Sequence, residues 1–550
     1  MKQNKFFGII AVLALGAAAL ASCEKEVDIA PADALFRPII SSPEYGGDWI
    51  EVSWDKYEGA DYFELKIVGK DGLNSTVQTD TTFYRFEGLN YDTSYDIMIR
   101  SVGRSSGLTS RYFQVPTVTT NDFPTKLKAV ESIDTKAIVS WDNETVTTLK
   151  FFTYTTDEEG ERVESSYSEF SVPAGESSVT VSDLAPSSNY VVYAYDGENY
   201  KGKKLFKTKD SEVYEGVVID LRSLSDDQAY SYFTQSFVNE QIEANPGQSI
   251  TFVLNGGTVY ELATINFATC TETISIVTGL SFAGKATFAV SGSMAVASGA
   301  RVGAITMKDI FFTEHPSKAK ESSNYGGTYL FNFNQADAAL GTLNLKDCDI
   351  RYKRGVLRSQ TTATIDNINI DGCTFNYIGG YGITNADNAA AATRHIKVKN
   401  STFAHCEKLF VSSKPTEKDM TFECSNCTFC WCTKSNGNYI CDFNTMNVDP
   451  QFSKCLFGPS GLDDAPTGMR ASRSAGSPGT SGCWCTSDHT WTTDATTGAV
   501  VAEMDLTPAS TDVAGTFLKG AVNYSAFEEA DFTIISKDLK EAGVGDPRWL

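Results

Sequence analysis

Four rings stand at one place in a repeating unit. Tyr352, Tyr377, His405 and Trp431 each follow a small residue by four positions, namely Cys348, Cys373, Ser401 and Cys427. Facing outward, such a column makes a stacking platform for sugar rings, with C–H faces laid on π-faces. Facing inward, it makes an aromatic ladder in a core. The residues one further on (Lys353, Ile378, Cys406, Cys432) are mostly of inward type, which favours the outward direction for the rings. Beside them lies the densest basic cluster of the chain, Arg351-Tyr-Lys-Arg-Gly-Val-Leu-Arg358. Its Lys353, Arg354 and Arg358, with Lys408 and Lys434 at a shared later position, form a candidate basic strip. Such a strip either meets the carboxylates of uronic acids or consists of solvated turn residues.

The same cations are the candidate bases of a β-elimination, a reaction that usually also takes a cation on the uronate carboxylate. Adjacent units carry no column of acidic residues to hold Ca²⁺. Their turn positions read Lys346-Asp347, Asp371-Gly372, Lys399-Asn400 and Ser425-Asn426, a stack of Asx and Gly turns. No metal site or cofactor is expected, with Ca²⁺ entering only if the chain is a lyase. Cys424, Cys427, Cys430 and Cys432 imitate a metal knot, yet they fall on repeat positions and read as core stacking. Cys483-Trp-Cys485 with His489 lies outside the repeat and leaves a metal or a disulfide open.

These residues need a scaffold that repeats, and the sequence supplies one. Ile305–Phe312, Leu343–Ile350, Ile368–Phe375, Ile396–Phe403, Phe422–Phe429 and Pro450–Phe457 share one pattern. Each has apolar-x-apolar, two turn residues, a small Cys/Ser or apolar residue and then a large apolar one. Cys348, Cys373, Ser401, Cys427 and Cys455 lie 25, 28, 26 and 28 residues apart. A period in that range with an internal alternation of two marks stacked β-coils that bury one another's inner faces. The reading is a right-handed parallel β-helix. Its cysteines track the period, so they are expected as stacked free thiols rather than as a disulfide framework.

The rest of the chain frames this domain. With 69 acidic and 46 basic residues in 550, the net charge of −23 argues against a nucleic-acid partner. Lys2 and Lys5 precede an apolar run from Phe6 to Leu20, too short to span a membrane and suited to a signal peptide. It ends in Leu20-Ala-Ser-Cys23, which resembles a bacterial lipobox and implies lipidation of Cys23. Glu24, Glu26 and Asp28 resemble the surface-export signals of Bacteroidetes lipoproteins. The resemblance implies an outer-membrane, lipid-anchored protein facing outward, attached to the membrane through its lipid alone.

Residues 23–36 form a tether, and 37–120 and 124–209 read as two small modules of alternating strands. Trp54 and Trp141 on early strands, with Leu89/Tyr95 and Leu184/Tyr190 six apart, resemble fibronectin type III sandwiches. They read as spacers, with direct ligand binding as the alternative. Ser225 to Ala244 reads as one amphipathic helix with Tyr230, Phe233, Phe237 and Ile242 near one face. It leads through Asn245-Pro-Gly247 into Ile250–Leu254 and Gly257-Thr-Val-Tyr260, which resembles the capped opening of pectate-lyase-like β-helices. The β-helix is placed at 216–458. Residues 459–550 read as a long loop and a closure in which Trp549 packs on the last coil.

The expected fold class is therefore all-β: two fibronectin type III-like sandwiches, then a pectin-lyase-like right-handed parallel β-helix with an N-terminal helical cap. The resemblance to β-helix lipoproteins of glycan-uptake systems implies polysaccharide binding along a groove, with outer-membrane uptake proteins as partners. A polysaccharide lyase in the same groove is the alternative, and an adhesin the second.

Overall fold

A computed structural model describes residues 34–103, 106–158, 160–319, 321–433, 438–460, 468–474, 476–487, 489–493, 497, 503–509 and 532–550. Cys23, the acidic residues after it, Lys434 and Asp531 lie outside these residues. The chain divides into two compact units. Among the described residues no helix is long and apolar enough to cross a membrane.

The first unit holds the greater part of two antiparallel sandwiches. In the first module, Trp49–Ser53 and Phe83–Glu87 belong to a three-stranded sheet facing a five-stranded one built on Tyr62–Gly69 and Ser94–Val102. The alternation read from the sequence is the inward set: Ile50, Val52, Trp54, Phe63, Leu65, Ile67, Tyr95, Ile97 and Ile99 form one core. Tyr95 ties the corner, accepting the Asn90 N–H at 3.0 Å and donating to Asp71 at 2.8 Å. The second module has a four-stranded sheet in the order Arg162–Ser171, Thr148–Thr156, Asn189–Asp196, Asn199–Lys207, and a three-stranded sheet carrying the buried Trp141.

The second unit is a parallel β-solenoid. Ten strands, from Val217–Asp220 to Gly479–Ser481, pair in parallel and in chain order to form one face. Ile305, Leu343, Ile368, Ile396 and Phe422 are direct partners down that face, so the sequence repeat is the stacking register. A sixteen-stranded sheet wraps the other two faces, because Asp349–Ser359 and Thr374–Ala386 run through a kink from one face to the next. The Asx and Gly positions make the turn out of the ten-stranded face: Asp309, Asp347, Gly372, Asn400 and Asn426 all have φ between +51° and +66°. Residues with short polar or absent side chains adopt that left-handed conformation at least cost.

The cysteine column explains itself chemically. The backbone carbonyls of Cys348, Cys373, Ser401, Cys427 and Cys455 each accept from the following coil at 2.8–2.9 Å, so the five are piled in file. Each side chain donates to the carbonyl two residues behind it. The bonds run from Cys348 to Lys346 at 3.3 Å, Ser401 to Lys399 at 2.7 Å, Cys427 to Ser425 at 3.2 Å and Cys455 to Ser453 at 3.5 Å. A small donor is what the site requires, which is why Ser replaces Cys in one coil. Among the described residues all cysteines are free thiols.

Three sequence expectations are corrected. The cap is two helices, Asp226–Tyr232 and Gln235–Ala244, because Phe233 leaves helical geometry and Thr234 caps the second through the Phe237 N–H. The solenoid runs past 458: Ser472–Ser474, Gly479–Ser481 and Trp484–Cys485 add a further coil, and Thr507–Pro508 pairs beyond it. Cys483 belongs to that coil, buried and donating to the Ser481 carbonyl, which removes the reason for a metal or disulfide there. The described C-terminal residues, 532–550, reach coils well before the last one. They lie along the side of the stack, where Asp546 accepts from the Thr402 hydroxyl at 2.7 Å and donates its backbone N–H to the Thr428 hydroxyl oxygen at 2.9 Å. Arg548 reaches the Cys373 carbonyl at 3.0 Å, and Trp549 donates to Thr402 at 2.9 Å.

Candidate functional site

The four rings stack in register. Tyr352 to Tyr377 is 5.3 Å, Tyr377 to His405 4.4 Å and His405 to Trp431 4.8 Å between centroids, with interplanar angles of 12°, 6° and 9°. All four have φ between +47° and +58°, a conformation that bulky residues rarely adopt. They occupy the kink between the second and third faces, outside the apolar interior that Ile350, Phe375 and Phe403 fill. Tyr352, Tyr377 and His405 are only 6%, 4% and 3% exposed. Their π-faces cover one another, and Tyr325 packs beside both Tyr352 and Tyr377, at 5.8 and 6.5 Å. The column is thus neither of the two forms expected. It stands outside the core, yet it presents ring edges rather than faces, so a sugar-stacking platform is not available on Tyr352, Tyr377 and His405. Trp431, half-buried at the lower end, packs beside the C-terminal cluster of Phe532 and Trp549.

The basic cluster separates in the same way. Lys353 aligns with Ile378 and points into the solenoid, fully buried, its Nζ donating to the Thr313 carbonyl at 2.7 Å. Burial pushes its pKa down to about 7. As a lyase base it is corrected: a proton acceptor must reach substrate, and this amine reaches a backbone oxygen inside the stack. Arg351 turns to Thr313 and Glu314 on the second face.

Arg354 and Arg358 instead lie on the third face, where two tyrosines meet them. The Arg354 guanidinium is 4.2 Å from the Tyr381 ring centroid and 5.5 Å from that of Tyr329, and Arg358 is 4.9 and 5.6 Å from the same rings. Arg354 has no carboxylate partner among the described residues, and its buried Nε–H has no acceptor among them. The Tyr329 hydroxyl, also buried, is likewise without a partner there. Arg358 is bonded to Asp387 at 2.9 and 2.5 Å, and Lys414 binds the same carboxylate. Burial raises the Asp387 pKa, but these two cations outweigh it and hold the carboxyl below its ordinary range. Lys408 follows one coil on, its backbone against Gly382. Further down the face, Arg470 and Arg473 lie 5.5 and 5.1 Å from the Tyr439 ring.

The third face therefore carries two arginine–tyrosine clusters, Tyr329 with Arg354, Arg358 and Tyr381, and Tyr439 with Arg470 and Arg473; in the register column between Arg358 and Arg473 stand Asn385, Val411 and Asp442. Tyr329, Tyr381, Tyr439, Arg470 and Arg473 escaped the sequence reading. The signal for Tyr381 was available in Gly379-Gly-Tyr-Gly382, since glycines inside a strand mark a close approach of backbone to something else. A Cβ on Gly380 would lie 3.6 Å from both Asn324 Oδ1 and Glu407 Oε2, leaving bare backbone between an amide and a carboxylate.

A groove of about 440 Å³ also runs along the ten-stranded face, floored by an amide chain from Asn369 to Asn344 (2.9 Å) and on to Thr306 (3.1 Å). Two of its three lysines are neutralised locally, Lys399 by Asp371 at 3.1 Å and Lys397 by Glu423 at 3.3 Å, and the third is Lys346. Among the described residues, no group of three or more His, Cys, Asp or Glu side chains is placed to hold a metal ion.

The fold defines an all-β protein in which fibronectin type III-like sandwiches precede a pectin-lyase-like parallel β-solenoid. No protein-family model matches the chain, and no curated protein matches it. Solved structures do, 295 chains in all. Among them is a two-domain fibronectin type III segment from chicken tenascin, 17% identical, spanning 32% of this chain and 100% of that one with a TM-score of 0.18. At that score the likeness is a similarity only, and the sandwiches are assigned on their own strand pairing and cores.

Proposed function

We propose that this protein is a surface-anchored, lipid-modified glycan-binding protein whose solenoid captures an extended, uronic-acid-containing polysaccharide on its third face, working beside outer-membrane uptake proteins. The observation that carries this reading is the pair Arg354 and Arg358 set 4.2–5.6 Å from the ring centroids of Tyr329 and Tyr381. A guanidinium offers two parallel N–H bonds to a carboxylate, and the neighbouring rings offer an apolar surface to the sugar. A second such cluster, Tyr439 with Arg470 and Arg473, lies four coils further along the same face, as an extended chain would require.

Binding is preferred over cleavage because of the charge arrangement. The cluster joins one carboxylate, Asp387, to two cations, Arg358 and Lys414. Elimination needs the reverse, several carboxylates around one cation. The lipobox at Cys23 supplies the anchor, with multiple acyl chains giving stable attachment.

The test is incubation of the chain from residue 24 onward with polygalacturonate, alginate and glycosaminoglycans, following retention and the absorbance of unsaturated ends together. Retention without new absorbance is expected. Unsaturated products would establish a lyase, and no retention on any of the polymers would point to an adhesin.

A further inference from the structure

Gly380, on the third face of the solenoid, is a glycine that the fold does not call for. Glycine inside a strand is unfavourable, because it packs no side chain and loses more freedom on folding than any other residue. Two demands of a fold justify it: a positive φ, or a neighbour that a Cβ would strike. The glycines around Gly380 answer to one or both. Gly382 has φ +78°, and the Leu409 carbonyl oxygen is 2.5 Å from where its Cβ would lie. A Cβ on Gly379 would lie 3.2 Å from the Arg354 carbonyl oxygen, and one on Gly355 would lie 2.8 Å from the Tyr381 side chain. At Gly380 φ is outside the left-handed region, and a Cβ would meet nothing closer than 3.6 Å, an ordinary van der Waals contact. Among the glycines whose surroundings the structure describes, it alone meets neither demand. Alanine would fit the folded chain, so whatever alanine would obstruct lies outside the chain.

The groups around Gly380 define what that is. Lys353 pairs with Ile378 and Gly355 with Gly382, so Gly379, Gly380 and Tyr381 together stand opposite Arg354 alone. This bulge sets Tyr381 against the Arg354 guanidinium and leaves Gly380 half-buried beside it. Ile378 pairs in turn with Cys406, which puts Glu407 one coil further on. The bare backbone thus lies between a cation on the coil before and a carboxylate on the coil after. Two oxygens flank it, Asn324 Oδ1 and Glu407 Oε2, each 3.6 Å from where the Cβ would be. The Asn324 amide nitrogen is turned to Ser323 Oγ at 3.4 Å, which leaves its oxygen toward the glycine. A carboxylate and an amide oxygen accept hydrogen bonds, so a group lying on Gly380 must bring donors. One coil back, about 4.8 Å away, the same ligand must bring an anion for Arg354, which has no carboxylate partner among the described residues. Hydroxyls and a carboxylate on one small ring are what a uronic acid offers.

We infer that Gly380 is the floor of a uronate subsite, in which the sugar whose carboxylate meets Arg354 lies on bare backbone and gives its hydroxyls to Glu407 and Asn324. The inference rests on the proposed uronate reading of the third face and deepens it. A site that read charge alone would have no use for the missing Cβ or for the two acceptors.

The experiment is fluorescence anisotropy of a labelled oligogalacturonate titrated with the chain from residue 24 onward, beside Gly380→Ala, Gly380→Val and Arg354→Ala. Labelled polyglutamate serves as a second probe, and each variant is also melted. Gly380→Ala is expected to melt no lower than the natural chain, while its affinity for the oligogalacturonate falls about 10-fold. Gly380→Val should bind more weakly still. Polyglutamate, which carries carboxylates without hydroxyls, should bind the natural chain at least about 10-fold more weakly than the sugar does. Unchanged affinity in Gly380→Ala, with affinity lost in Arg354→Ala, would overturn the inference and leave the arginine reading standing. A lowered melting temperature in Gly380→Ala would also overturn it, since the glycine would then serve the fold. Equal binding of polyglutamate would overturn it in favour of an acidic peptide. No binding of oligogalacturonate by the natural chain would overturn this inference and the uronate reading together.

Discussion

The guanidinium of Arg354 sits 4.2 Å from the ring centroid of Tyr381, which belongs to the next coil of the solenoid. This pairing places against an aromatic ring a cation that has no carboxylate partner among the described residues. A lysine there would keep the charge but lose both the planar fork and the stack. Arg354→Lys is therefore expected to weaken retention on polygalacturonate several-fold with little change in melting temperature. Full retention by the lysine variant would mean that charge alone is being read.

Lys353 makes a separate prediction, about stability. Its folded pKa of about 7 lies below the ordinary 10.5 because burial disfavours the ammonium. Between these values the unfolded chain binds more protons than the folded one, so stability attributable to this group rises with pH from 7 to 10.5. Below pH 7 the cost of burying the charge is fully present. Lys353→Met removes it, and the gain over the natural chain should be largest at pH 6–7 and fade by pH 10, on the order of 5 kcal/mol in total. Urea unfolding of both chains across that range measures the difference. A constant difference would show that Lys353 does not titrate in the window.

The ring ladder is expected to stabilise rather than to bind. Tyr377→Ala removes a buried ring stacked on both sides and should cost about 3 kcal/mol in chemical unfolding. Retention on glycans by the folded variant should be unchanged. A loss of binding with stability intact would return the column to the ligand site.

Much of this architecture was legible because a solenoid writes its register into the sequence. The spacing of Cys348, Cys373, Ser401, Cys427 and Cys455 is one coil, and their shared small side chain is a donor for the turn carbonyl. The direction of Tyr352 and Tyr377 was not legible, because alternation by two fails where φ turns positive. The arginine–tyrosine cluster was hidden by unequal coil lengths. Arg354 stands six residues after Cys348 but Tyr381 eight after Cys373, since the register shifts between Lys353 and Gly355. The last coil was missed because Gly479-Thr-Ser481 lacks the apolar-x-apolar signature of earlier strands, even though Cys483 keeps the 28-residue step from Cys455. Trp549 was read as part of a closure, but its side-on position follows from Asp546 and Arg548, whose partners lie more than a hundred residues away.

That side-on clasp is itself testable. Asp546 is fully buried and holds Thr402 and Arg548 together. Asp546→Ala leaves both donors without their acceptor and should cost about 3 kcal/mol. Limited proteolysis should then release the C-terminal segment before the solenoid is cut. Simultaneous loss of both would show that the clasp and the stack unfold as one.

The most direct test of the solenoid's proposed role is calorimetric titration of the chain from residue 24 onward with a defined oligogalacturonate, beside Arg354→Ala. The account predicts measurable binding that weakens about 10- to 100-fold in the variant, as expected for a charged hydrogen-bond donor removed from a carboxylate. Equal affinity of the two proteins for the oligogalacturonate would contradict it.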